Sequence, residues 1–71
     1  MIDVHLIKSK INDILGYLDE LRPILREEAR IIIDNNLKLR TVERLFQLVV
    51  DTAVDINTHI IIESEIGRAH V

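Results

Sequence analysis

The segment 41–62, TVERLFQLVVDTAVDINTHIII, constrains this chain more than any other. Wound as an α-helix, it carries Val42, Phe46, Val49, Ala53, Ile56 and Ile60 as one stripe at steps of four and three. Leu45 through Val54, with Ile61, widen that stripe to an apolar arc of roughly 180°. A single neighbouring helix cannot cover so wide an arc. The rest must meet water, another segment or another chain.

A first helix supplies one neighbour. Val4, Ile7, Ile11, Ile14, Leu18, Leu21 and Leu25 recur at alternating steps of three and four, with Lys8, Asn12, Asp13, Asp19 and Glu20 on other faces. Asp3 is placed to cap its N-terminus, and Pro23 is expected to end or kink it. Gly16 lowers helix propensity without breaking the stripe. Between the two stripes, residues 24–37 read as a short helix beginning near Leu25. Asp34-Asn35-Asn36 then forms a turn or the start of the long helix, which spans about residues 36–63. The expected fold is all-α: a helical hairpin with a short intervening helix, the first part of a larger bundle.

Size limits what this can do alone. A 71-residue chain buries only about 60% of the surface it exposes unfolded, and folds of this size usually lean on a disulfide, a metal or a partner. Without cysteine there is no disulfide and no thiolate metal site. With Tyr17 and Phe46 as the sole aromatic residues, both expected to pack, the core is mostly Ile, Leu and Val. A net charge of -3 argues against a general nucleic-acid binder held by backbone electrostatics. No uninterrupted apolar run reaches the roughly 18 residues of a membrane span, and Met1-Ile-Asp-Val-His lacks the basic start of a signal peptide. A cytoplasmic protein that does not enter membranes is expected.

Arg44, Asp51, Asp55 and His59 form a polar stripe down the long helix. In one reading it lines a cleft, with Asp55 orienting His59 one turn away. In the other it is a solvated face laced by i,i+4 contacts worth a few tenths of a kcal/mol each. Asp51, Asp55 and His59 span about 12 Å along the axis, too far to converge on one ion, so neither metal nor cofactor is expected. Glu43 and Asn57 sit on the fringe of the apolar arc, where each suits a hydrogen bond within a core or interface. His5 should face solvent, and acidic residues interrupt any basic stripe through Lys8, Lys10, Arg22, Arg26 and Arg30.

Val42-Glu43-Arg44-Leu45-Phe46-Gln47-Leu48-Val49-Val50, followed by Asp55-Ile56-Asn57-Thr58-His59-Ile60-Ile61, resembles the HepT-like branch of the HEPN superfamily. The resemblance covers roughly residues 2–65, including the first helix and the short segment after Pro23. It implies an all-α toxin of a toxin–antitoxin pair. Such a protein forms a homodimer, cleaves RNA without a metal, and is neutralised by a nucleotidyltransferase antitoxin of the MNT type. The family's chemistry sits in an Arg-x4-6-His motif, in which a His moves protons while an Arg stabilises charge on phosphate. Here no Arg precedes a His at that spacing, and Arg68-Ala69-His70 is too tight. No catalytic residue can be assigned, and the chain is expected to be inactive. In the complete family fold, Arg44, Asp55 and His59 would line the cleft or make buried polar contacts.

Residues 66–71, IGRAHV, resemble translated sequencing adapter (ATC GGA AGA GCA CAC GTC). The expectation is therefore that residues 1–65 are the N-terminal part of a HepT-like domain and 66–71 a non-native tail. The alternative is a genuine C-terminus with Gly67 as an ordinary helix stop. A corresponding pair of functions stands: a piece of an RNase toxin, whose complete form alone would act on RNA, or a small non-enzymatic helical dimerisation or protein-binding module.

Overall fold

Asp3 starts the first helix as its sequence position predicts. In the computed structural model, which describes residues 2–69 and the side chains of 2–65, its Oδ1 accepts the Leu6 N–H at 3.0 Å. Helix α1 then runs Val4–Leu25, α2 runs Ala29–Asp34 and α3 runs Asn36–Ala69. No strand occurs among the described residues. Losing the cap in Asp3→Ala should lower stability by about 1 kcal/mol, measured as a shift of the urea midpoint.

Pro23 neither ends nor breaks α1, which continues two residues beyond it to Leu25. A proline costs the hydrogen bond to the residue four before it and crowds that carbonyl. In the last turn little helix remains to be lost, and the Glu27 N–H closes the end on the Ile24 carbonyl at 3.1 Å. The short helix begins at Ala29 rather than Leu25, because Leu25 still belongs to α1 and Arg26–Glu28 make the turn. Asn35 separates α2 from α3: its side-chain oxygen accepts from the Lys38 N–H at 3.1 Å and its carbonyl from the Leu39 N–H at 2.9 Å. α3 passes through Gly67 to Ala69, so Gly67 is not its stop. The side chains of residues 66–71 lie outside the described ones.

α1 and α3 are antiparallel, tied near one end by Asp3 to His59 and near the other by Glu27 to Lys38, whose Nζ reaches both carboxylate oxygens at 2.7 Å. On α1 the buried or half-buried positions are Ile7, Lys10, Ile14, Tyr17, Leu21 and Ile24. On α3 they follow Val42, Leu45, Val49, Thr52, Ile56 and His59. Both series alternate steps of three and four, the spacing of two helices in coiled-coil contact. The expected α1 stripe is thus split. Ile7, Ile14 and Leu21 face α3, whereas Val4, Ile11, Leu18 and Leu25 are exposed. The cause is width: α3 covers one edge of the stripe, where Lys10 and Tyr17 join it, and leaves the other edge open.

The buried set is accordingly small. Among the described residues it is Leu21, Ile32 and Leu45. A compact chain of 8.2 kDa exposes about 4,500 Å², but this one exposes 5671 Å². Its radius of gyration is 16.7 Å, where a compact fold of this length has about 11 Å. The hairpin is one layer thick and has no second layer to close its core.

Candidate functional site

Most of the large exposed apolar residues of α1 and α3 lie on one side of the hairpin, while Leu6, Leu37 and Ile62 are exposed on the other. At 100° per residue, Val4, Ile11, Leu18 and Leu25 stand roughly 80° from the α1 seam, and Phe46, Val50, Asn57 and Ile61 roughly 120° from the α3 seam. Both rotations have the same sense when each helix is viewed from its own N-terminus. In antiparallel helices that sense turns both sets to one side of the hairpin. The result is a largely apolar flank along both helices, interrupted on α3 by Asn57. Phe46 is 47% exposed and Leu18 38%. A shallow, open groove of about 380 Å³ runs along its α1 edge, lined by Leu18, Leu21, Leu25, Arg22 and Arg26.

The six apolar α3 residues singled out in the sequence divide between seam and flank. Val42, Val49, Ala53 and Ile56 are half-buried against α1, whereas Phe46 and Ile60 are exposed. Leu45, at the centre of the seam, is the buried residue of α3 among the described ones. Tyr17 packs as expected, but Phe46 does not pack within the hairpin. Glu43 is exposed at the edge of the flank and Asn57 within it, and His5 faces solvent.

The opposite side of α3 carries Arg44, Asp51 and Asp55, with Leu37 and Ile62 exposed at its ends, and the three charged residues are not near a common reacting centre. Arg44 Nη1 donates to Gln47 Oε1 at 3.4 Å. Asp55 turns to Lys10 across the helices, with Nζ to Oδ2 at 3.5 Å, and so does not orient His59. His59 instead lies half-buried at the start of α1, where its Nε2 accepts the Asp3 N–H at 3.2 Å. Fifteen residues of helix put Arg44 about 22 Å from His59, too far to act on one phosphodiester. Among the described residues no cluster of three or more His, Asp or Glu stands where it could hold a metal ion.

One membrane question arises from α3. By length and composition α3 has an 18-residue window, of mean hydropathy 1.3, apolar enough to cross a bilayer, although no uninterrupted apolar run in it is that long. Asp51 and Asp55 sit mid-segment, and each aspartate at a bilayer centre costs roughly 3 kcal/mol. The Lys10–Asp55 pair gives one of them an aqueous-face partner on α1.

No family model, no curated protein and no solved structure matches this chain. Among the described residues, the flank is an extended apolar surface left without a packing partner.

Proposed function

We propose that this chain is an association unit: the helical hairpin of a HepT-like toxin, without the catalytic motif, that presents one apolar flank to further helices. The observation that carries this reading is the one-sided exposure of Val4, Ile11, Leu18 and Leu25 beside Phe46 and Ile60. The order of a long helix, a short helix and a longer helix supports the HepT-like reading, as do the residues quoted for that resemblance. On this reading the complete parent is a cytoplasmic, metal-independent RNase held in check by an MNT-type nucleotidyltransferase. The distance from Arg44 to His59, and the engagement of His59 with the α1 start, favour a plainer second reading as well. In that one the chain is a non-enzymatic dimerisation or protein-binding module.

Incubated with total RNA, with or without a chelator, the chain should release no more fragments than buffer does. Cleavage that disappears in His59→Ala would overturn the inactive assignment. Reading the source DNA beyond the codon for Glu65 separates the two functions. An open frame entering an Arg-x4-6-His helix supports the toxin parent, and a native stop after Val71 supports the module.

A further inference from the structure

We infer that the flank is also a membrane-surface site: α1 and α3 lie side by side on an anionic bilayer, with the flank in the boundary between headgroups and acyl chains. This goes beyond the packing reading, since the occupant is lipid rather than protein and the two exclude one another. The cations carry the inference. At 100° per residue, Arg22 stands about 20° from the outward normal of the flank on α1, and Lys8 and Arg26 about 60° from it. Arg22 and Arg26 line the groove together with Leu18 and Leu25. Neither Lys8 nor Arg26 makes an ion pair among the described residues, and that of Arg22, to Asp19, is long at 3.6 Å. Two carboxylates reach the rim, Glu43 about 60° from the normal and Asp19 about 80°. Lys and Arg lay their alkyl stems over apolar surface and carry the charge out to the headgroups, whereas the shorter Asp19 stays on the water side.

Spacing and shape favour lipid. Lys8 and Arg22 are about 21 Å apart along α1, with Ile11, Leu15 and Leu18 exposed between them. A helix laid on this face must place an anion at each cation in register. A lipid surface offers phosphate at every height above an apolar layer, so no register has to match. The hairpin is one layer thick and elongated, 56 × 17 × 14 Å, and presents the flank as a long strip. Lying this way, it keeps Asp51 and Asp55 in water, where a span would bury them. The far side sets Asp13, Glu20, Asp51 and Asp55 against Lys10, Arg40 and Arg44, an excess of anions. An anionic surface therefore selects the flank.

Vesicle flotation tests the site, with phosphatidylcholine alone compared with phosphatidylcholine holding about a quarter phosphatidylglycerol. The chain as a whole carries -3, so attraction to anionic lipid reports one face and not the total. The anionic vesicles should bind it at least about tenfold more tightly than the neutral ones. Arg22→Gln together with Arg26→Gln should lower partitioning about thirtyfold, and Glu43→Gln should raise it about fivefold. Asp51→Asn, beyond a Debye length of ~8 Å from the lipid, should leave it within about twofold. All four side chains are exposed, so each variant should keep its helical circular dichroism. The chain has no tryptophan, which lets single probes read orientation. Phe46→Trp should be quenched by brominated acyl chains and Asp51→Trp should not. Equal binding to both vesicle types, or quenching of both probes, would overturn the surface orientation. Binding to neither would remove lipid as the occupant and leave the flank to protein. Association in lipid-free buffer is unaffected by that result, so the two readings fail separately.

Discussion

Leu18→Glu or Phe46→Glu should abolish association at micromolar concentrations while leaving each chain able to form its helices. Neither side chain is buried within one hairpin, so the substitution creates no cavity there. Each becomes buried when the flank is covered. Full burial of a Leu or Phe is worth roughly 2 kcal/mol, and a two-fold interface counts every residue twice. The loss is therefore about 4 kcal/mol before any penalty for the buried carboxylate, close to a thousandfold in the dissociation constant. Asp51→Lys, on the polar side, is the control and should change association little. Equal effects from the two sides would mean that association is not carried by the flank.

The second large effect concerns the seam. Leu21 is 1% exposed and has few companions, so Leu21→Ala should cost about 2–5 kcal/mol. Cores below about 70–80 residues rarely supply more than 3–5 kcal/mol in total. The variant should therefore lose its cooperative thermal transition rather than shift it, and show a shallow, monotonic decline in helical circular dichroism. Leu45→Ala should behave alike, because Leu45 occupies the facing position in the same seam. A sharp transition lowered by only a few degrees in both variants would show that stability resides outside this seam.

Much of the architecture was legible in the residues, for local reasons. Asp3 and Asn35 cap through their own side chains, so the beginnings of α1 and α3 are written in single residues. The two apolar periodicities likewise announce helices of the right length. What periodicity could not reveal was which edge of each stripe would face the neighbour. A stripe built on Val4, Ile7, Ile11 and Ile14 serves either side equally well; the choice depends on how two helices share one register. Lys10, Tyr17, Thr52 and His59 entered the seam although none is a strongly apolar signal. Their steps of three and four from Ile7 and Leu45 were the available clue.

The polar stripe shows the same limit. Spacing places Asp55 one turn from His59, and that invited a pairing. In the fold each is drawn to the first helix instead, Asp55 to Lys10 and His59 to the backbone of Asp3. Both contacts are long-range, so no reading of α3 alone could have supplied them. Pro23 is the converse case. Its local penalty is real, but its place in the last turn of α1 leaves two further residues free to complete the helix.

On the proposed function, a one-layer hairpin with an open apolar flank completes itself by association. Light scattering on the unaltered chain from about 1 to 200 μM, paired with thermal unfolding at each concentration, tests it most directly. The mass should rise from 8.2 kDa towards twice that value, and the unfolding midpoint should climb with concentration. A mass of 8.2 kDa throughout, with a sharp midpoint that does not depend on concentration, would contradict it.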